Sequence, residues 1–157
     1  MRNHTFVIPA YKESPYLEDC IQKLLKQTVK SHIIICTSTP SEFSEQLAKK
    51  YQLPYIVNNI TKTNIANDWN FAIAQAQTKY VTIAHQDDVY EETYVEEILK
   101  KLAQHPNTLI AFTNYSDIIK GEVISKSVNK FIKHKIFKTF PQILLIKKKN
   151  GSSEATA

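Results

Sequence analysis

Residues 80–90, Tyr80-Val81-Thr82-Ile83-Ala84-His85-Gln86-Asp87-Asp88-Val89-Tyr90, decide the fold class of this chain. The stretch begins with an apolar, β-prone run that has the length of a buried strand, and this run passes directly into polar and acidic side chains. A helical pattern with acids first and lysines last follows from Glu91 to Gln104. A buried strand joined by a short polar turn to an amphipathic helix is the repeating unit of an α/β protein.

The same alternation extends over the rest of the chain. Serines that can cap helices, Ser14 before Pro15 and Ser41, stand at the start of two of the helical patterns. The pattern predicts strands at 5–8, 32–36, 55–57, 80–84 and 108–113, helices at 14–29, 41–52, 64–77 and 91–104, and a hairpin at 115–125 that turns at residues 120–121. This order predicts an α/β fold with a mostly parallel sheet and helices on both faces.

A segment rich in polar residues, in two cases with a proline, follows each of four predicted strands. These segments are residues 9–13, 37–40, 58–59 and 85–88. Because ligands of such sheets gather beyond the carboxyl ends of the strands, we expect all four segments at one edge, around a binding site.

Composition excludes several classes of protein. The chain of 157 residues has only two glycines, so no glycine-rich phosphate loop is available. No apolar run reaches the roughly 18 residues of a membrane span, and no signal peptide precedes the first strand, so we expect a cytoplasmic protein. Cys20 and Cys36 are expected to be buried free thiols rather than a disulfide.

The net charge of +5 is unevenly distributed. Residues 126–149 carry eight lysines and no acid, whereas residues 1–125 carry twelve basic and fourteen acidic side chains. The body of the chain is therefore mildly acidic, which argues against a nucleic-acid-binding face.

Asp87 and Asp88 admit two interpretations from the residues alone. Adjacent carboxylates after a strand repel each other unless a cation neutralises them, and Mg²⁺ or Mn²⁺ would do so while also binding a diphosphate. The alternative is structural, since an acid at this position also caps a following helix. His85 allows a third interpretation, a hydrolytic metal site, but no other histidine has the spacing to complete it.

Three stretches in order resemble the family 2 glycosyltransferases, which have the nucleotide-diphospho-sugar transferase (GT-A, Rossmann-like) fold. Residues 6–13, Phe-Val-Ile-Pro-Ala-Tyr-Lys-Glu, resemble the opening strand and turn of that family. Residues 65–72, Ile-Ala-Asn-Asp-Trp-Asn-Phe-Ala, resemble its central helix, and residues 81–90 resemble its acidic motif. The resemblance extends to about residue 125.

The resemblance implies a site for a nucleoside-diphosphate sugar, with a UDP-sugar as the first candidate, and a sugar transfer to a hydroxyl acceptor in cell-surface polysaccharide or glycan synthesis. It also implies that Mg²⁺ or Mn²⁺ is held at Asp87, with Asp88 and His85 assisting. Trp69 is expected in the core because of its helical phase with Ile65 and Ile73. The residues expected at the nucleotide sugar are Pro9, Ala10, Tyr11, Glu13, Thr37, Asn67, Asp68, Asn70, Gln86 and Asp87.

The chain departs from the family pattern in two places. The segment after the second strand, Cys36-Thr37-Ser38-Thr39-Pro40, has none of the carboxylates usual there, so base recognition is expected to use hydroxyl or backbone groups such as those of Thr37. His85 replaces the first acid of the family's Asp-x-Asp motif, so metal binding is expected to depend more on the diphosphate.

The resemblance leaves the catalytic base unassigned. In the family this carboxylate lies in an acceptor half, and no residue of this chain fits the role. We therefore expect a nucleotide-sugar-binding domain at 1–125, a basic amphipathic segment at 126–149 and a flexible tail at 150–157. The basic segment either packs on the sheet, contacts an anionic membrane surface or is solvated. The alternative function is a truncated, non-catalytic domain that binds a nucleotide or a partner subunit.

Overall fold

A computed structural model describes residues 2–60, 63–111, 113, 115–119 and 122–124. Two compact units are present, one up to Glu97 and one from Ile98 onward. The elements are β1 (His4–Ala10), α1 (Leu17–Leu25), β2 (His32–Thr37), α2 (Glu42–Lys50), β3 (Tyr55–Val57), α3 (Ile65–Ala74), β4 (Tyr80–Ile83), α4 (Tyr94–Gln104), β5 (Asp117–Ile119) and β6 (Glu122–Ile124).

The first unit is built on a four-stranded sheet with the order β3-β2-β1-β4. All three strand pairs are parallel, so the carboxyl ends of the strands share one edge. Thr37 is the register partner of both Ala10 and Val57, and these three strands therefore end level with each other. β4 ends earlier, at Ile83 opposite Val7, which leaves room for a turn beside the end of β1.

Helices cover both faces of this sheet, as the sequence predicts. Val7 and Cys36 pack with Ala72 of α3 on one face. Phe6 points to the opposite face because side chains alternate along a strand. Its ring centroid lies 5.6 Å from that of Tyr90 and 6.0 Å from that of Tyr94. Near-continuous burial of β1 explains why its sequence is apolar rather than alternating.

One predicted helix cap is confirmed and one is wrong. Ser41 caps α2 in a reciprocal capping box with Ser44. Ser14 does not cap α1, whose N-cap is Tyr16 without a side-chain bond. Instead the Ser14 hydroxyl accepts from the backbone N–H of Tyr16, and its carbonyl accepts from Leu17, so a turn separates Pro15 from the helix.

The strand predicted at 108–113 is wrong for the part of it that the structure describes. Residues 105–108 form a turn closed by a 3.0 Å bond from the Thr108 N–H to the His105 carbonyl. Leu109 and Ile110 then remain exposed, and no strand element includes them. The predicted hairpin is confirmed by the antiparallel pairing of β5 with β6, although its turn at 120–121 lies outside the described residues.

Both cysteines are buried and free, as predicted. Within the part of the chain that the structure describes, no helix is long and apolar enough to cross a membrane. The predicted boundaries near 125 and 149, the basic segment and the tail all lie outside the described residues. Contact with a membrane surface, assembly into an oligomer or with a partner subunit, and a cytoplasmic location stay predictions.

Candidate functional site

A cavity of about 470 Å³ lies at the carboxyl edge of the parallel sheet. Each of the four predicted segments, 9–13, 37–40, 58–59 and 85–88, contributes at least one residue to its wall, which confirms their predicted gathering at one edge. The lining residues are Pro9, Ala10, Tyr11, Cys36, Thr37, Asn58, Thr63, Asn64, Ile65, Asp68, Trp69, Phe71, His85, Gln86 and Asp87.

Gln86 fastens the turn after β4 to the turn after β1. Its Oε1 accepts a 3.1 Å bond from the backbone N–H of Tyr11, and its Nε2 donates a 3.0 Å bond to the Tyr11 carbonyl. These two bonds join the turn after β4 to the backbone after β1, just beyond the point where β4 ends. The Gln86 clamp, meaning this pair of bonds, therefore fixes the backbone that carries the exposed Tyr11 ring at the cavity.

The next residue, Lys12, has an unfavourable backbone conformation. Its φ of 54° lies in the left-handed region, which costs a residue with a Cβ about 1–2 kcal/mol. The hydroxyl of Thr39 holds it there by accepting a 2.6 Å bond from the Lys12 N–H, and the Thr37 hydroxyl accepts in turn from the Thr39 N–H. The loops after β1 and β2 thus constrain each other beside the cavity.

Asp68 is the centre of a polar network at the β2–β3 side of the cavity. Its Oδ2 accepts 2.9 Å bonds from the hydroxyls of Ser38 and Thr63. Its Oδ1 accepts a 3.0 Å bond from the side-chain amide of Asn58. The carboxylate missing from the segment after β2 is therefore supplied to that segment by α3. We refer to Asp68, Ser38, Asn58 and Thr63 as the Asp68 network.

The acidic turn places its two aspartates differently. Asp87 is exposed and lines the cavity, whereas Asp88 does not line it. Burial raises the pKa of the Asp88 carboxyl, an effect that His85 opposes and Asp87 increases. Asp88 in turn contributes, after burial, to the raised pKa of the Tyr90 hydroxyl.

His85 and Trp69 form the wall between the acidic turn and α3. Their rings meet edge to face with centroids 5.0 Å apart. The carbonyl of His85 accepts a bond from the Cys20 thiol, whose pKa is raised to about 12 by burial first and then by Asp88 and Asp87. Cys20 is therefore a neutral packing residue rather than a nucleophile.

The structure brings together most, but not all, of the residues expected at the nucleotide sugar. Eight of the predicted nucleotide or metal residues line the cavity: Pro9, Ala10, Tyr11, Thr37, Asp68, His85, Gln86 and Asp87. Glu13, Asn67, Asn70 and Asp88 are not among its lining residues. Asn67 and Asn70 lie on the exposed side of α3, and the Asn67 backbone N–H is used by the Asn64 cap.

The expectation that Trp69 and Ile65 belong to the core is wrong. Ile65 is 71% exposed and Trp69 is half-buried, and both line the cavity. Helical phase placed them on the sheet-facing side, but the first turn of α3 lies over the cavity. Within α3 only Ala72 is fully buried. The sequence did not predict Thr63 and Asn64 at the cavity, because nothing in their local sequence distinguishes a residue of a cavity wall from one in a loop before a helix.

A metal would have few protein ligands here. No group of three or more His, Cys, Asp or Glu side chains that could hold a metal ion occurs among the residues that the structure describes. Asp87 and His85 do both line the cavity. One carboxylate is compatible with Mg²⁺ or Mn²⁺ when substrate phosphates complete the coordination, so the donor set fits a metal that binds together with a diphosphate.

The parallel sheet, the helices on both faces and the cavity beyond the strand ends define the GT-A fold of nucleotide-sugar transferases. S. aureus TarS (residues 1–349) in complex with UDP is similar, with a TM-score of 0.60 and 19% identity over 81% of this chain and 39% of that one. The mannosyltransferase PcManGT from Pyrobaculum calidifontis, in complex with GDP-Man and Mn²⁺, has a TM-score of 0.59 and 18% identity over 69% and 34% of the two chains.

The chain belongs to Glycosyl transferase family 2, whose pattern it matches over residues 5–153. A curated relative, the glycosyltransferase GlyG of Streptococcus pneumoniae serotype 4, is 25% identical over 114 residues. That alignment covers 69% of this chain but only 38% of GlyG. The chain therefore corresponds to well under half of the length of this relative.

Proposed function

We propose that the cavity binds a nucleoside-diphosphate sugar, with a UDP-sugar as the first candidate, and that the chain supplies the donor site of a glycosyltransferase. The observation that carries this proposal is the convergence of all four strand-end segments on one cavity. Its volume of about 470 Å³ lies within the range of ligand sites, which is roughly 300–1,000 Å³. The family membership and the UDP and GDP-Man bound to TarS and PcManGT support the same ligand class.

Asp87 and His85 would hold Mg²⁺ or Mn²⁺ against the diphosphate of the donor. The metal supplies positive charge that stabilises the departing diphosphate. Asp87 contributes the single carboxylate at this end of the cavity, and the Gln86 clamp fixes the turn that carries it. With so few protein ligands, the metal affinity should depend strongly on whether a diphosphate is present.

The sugar would pass to a hydroxyl acceptor in the synthesis of a surface polysaccharide or glycan. One observation favours a second candidate, a domain that binds the donor without transferring it. The cavity has two carboxylates, and neither suits a general base: Asp68 has both oxygens engaged by neutral donors, and Asp87 is assigned to the metal. Acceptor deprotonation would then need a group outside the cavity wall.

Nucleotide binding measured by isothermal titration calorimetry tests the donor site. UDP is titrated with and without Mn²⁺ into the native chain, into Asp87→Asn and into Asp19→Asn, in which an exposed aspartate of α1 is changed. We expect Mn²⁺ to tighten UDP binding, and Asp87→Asn to weaken the Mn²⁺-dependent binding at least tenfold, or about 1.4 kcal/mol. Asp19→Asn should behave as the native chain does.

Release of UDP from a UDP-sugar, with and without a hydroxyl acceptor, then separates the two candidates. Turnover supports the transferase, whereas binding without turnover favours the donor-binding domain. If UDP binding is indifferent to both Mn²⁺ and Asp87→Asn, the metal assignment is refuted. If none of the nucleoside diphosphates binds, both candidates are refuted.

A further inference from the structure

We propose that the Asp68 carboxylate accepts one hydrogen bond from the nucleobase of the bound nucleotide and thereby selects a base with a single imide N–H, uracil or thymine. This inference rests on the proposed nucleotide-sugar site and names the residue that reads the base.

The acceptor capacity of Asp68 is nearly filled. A carboxylate has about four lone-pair positions, two on each oxygen. Oδ2 uses two of them for the hydroxyls of Ser38 and Thr63, and Oδ1 uses one for the amide of Asn58. Among the residues that the structure describes, no other donor bonds to this half-buried side chain at the cavity wall, so one position on Oδ1 remains for one further donor and not a pair.

The Asp68 network lies at the opposite end of the cavity from Asp87. Ser38 follows β2 and Asn58 follows β3, whereas Asp87 belongs to the turn after β4. The strand order β3-β2-β1-β4 and a spacing of about 4.8 Å between strands separate the two ends by roughly 10–14 Å. A nucleotide that spans this edge therefore has one end at each carboxylate.

Charge decides which end takes the base. Asp68 already accepts bonds from three neutral donors and has one position left on Oδ1, so it is a weaker ligand for a phosphate-bound cation than a carboxylate with all its positions open. Asp87 is exposed and free to share a cation with the diphosphate. The Asp68 end therefore receives the part of the ligand that carries uncharged N–H donors, which is the base.

The single free acceptor then discriminates between bases. The N3–H of uracil or thymine donates one bond to it. Cytosine and adenine present a ring-nitrogen acceptor at the corresponding edge, so only their exocyclic amine can donate to Oδ1, and the base has to shift from the position that the uracil N3–H defines. Guanine presents two adjacent donors, N1–H and N2–H, but the second would need a place on Oδ2, which Ser38 and Thr63 occupy.

The test compares ratios of affinities rather than affinities. UDP, CDP, GDP and ADP are titrated with Mn²⁺ into the native chain, Asp68→Asn and Ser38→Ala, after circular dichroism shows that each variant is folded. We expect the native chain to prefer UDP over CDP by about ten- to a hundredfold, the usual size of a hydrogen bond to a charged group. Ser38→Ala should keep the preference for UDP over CDP, because it leaves the acceptor on Oδ1 unchanged, but it frees a position on Oδ2 and should therefore strengthen GDP binding relative to UDP.

Asp68→Asn should reduce the preference about fivefold, because the bond from the base N3–H then goes to a neutral oxygen instead of a charged one. The side-chain amide of Asn58 donates to the Oδ1 position and its oxygen accepts from the Ile60 N–H, so it holds the amide oxygen of the new side chain at Oδ1. The hydroxyls of Ser38 and Thr63 can accept from the new N–H₂ group at the Oδ2 position. An equal loss for all four nucleotides would show that Asp68 only positions the loops, and equal binding of UDP and CDP to the native chain would also overturn the inference. If no nucleotide binds the native chain, the donor site itself fails, which is a different result.

Discussion

Removal of the Gln86 clamp should weaken nucleotide binding without unfolding the chain. Gln86→Ala deletes the two bonds to the Tyr11 backbone, 3.1 Å and 3.0 Å long, and creates no cavity in the core because Gln86 is a partly exposed turn residue. Each such bond has a net value of about 0.5–1.5 kcal/mol, and exposure places these two toward the lower end. The turn carrying Tyr11 therefore loses about 1–2 kcal/mol of restraint.

That restraint must be restored when a nucleotide docks against Tyr11. A cost of 1–2 kcal/mol corresponds to a roughly 5- to 30-fold rise in Kd, to be measured by calorimetry with UDP and Mn²⁺. The matched control is Gln46→Ala, which removes an exposed glutamine of α2 that bonds only to Glu42. The control should leave Kd unchanged, and the unfolding midpoints of both variants should stay close to that of the native chain.

A double-mutant cycle distinguishes a positioning role of Gln86 from direct contact with the ligand. If Gln86 acts through Tyr11, Gln86→Ala should have little further effect in a chain that already carries Tyr11→Ala. Strict additivity of the two losses would instead mean that Gln86 touches the nucleotide itself. A Kd for Gln86→Ala within twofold of the native value would refute the clamp altogether.

Two further predictions concern stability. His4 is fully buried between the hydroxyls of Ser31 and Thr82, and burial lowers its pKa from 6.5 to about 4. The neutral His4 therefore contributes fully to the free energy of unfolding above pH 6.5, and this contribution is lost as the pH falls toward 4. Denaturant unfolding should show a loss of about 2 kcal/mol between pH 7 and pH 5, and the His4→Gln variant should lack this loss. Gln52 follows the C-cap residue of α2 and has a φ of 54°, so Gln52→Gly should raise the free energy of unfolding by about 0.5–1 kcal/mol. Gln46→Gly inside α2 should instead lower it by about 1 kcal/mol, and equal effects of the two variants would refute this assignment.

The sheet and the location of the cavity were predictable from the sequence because each depends on local signals. Apolar runs of strand length, separated by helical patterns, imply parallel strands, and parallel strands bring their following segments to one edge. The failures have local causes too. The apolar run at 108–113 has strand character, but it follows the turn at 105–108, and its described residues form no strand element beyond a single bridge residue at Thr108.

The Asp68 network was not predictable, because it depends on contacts between distant positions. Residues 38, 58 and 63 carry ordinary loop side chains, and only the fold brings their donors within 3.0 Å of one carboxylate. Periodicity also misassigned Trp69, because the same helical face that packs on the sheet at Ala72 lies over the cavity one turn earlier. Sequence patterns identify the edge where a site forms but not which side chains organise it.

The two carboxylates of the cavity have different surroundings, and this difference assigns them different roles. Asp68 accepts bonds from three neutral donors in two loops, the one after β2 and the one between β3 and α3, so only one position on its oxygens is left for a metal. Asp87 is exposed on a turn that the Gln86 clamp fixes from the neighbouring residue, so a cation can bind it without disrupting the fold. Dependence on Mn²⁺ should therefore follow Asp87 and base preference should follow Asp68, and the two properties should be separable by mutation.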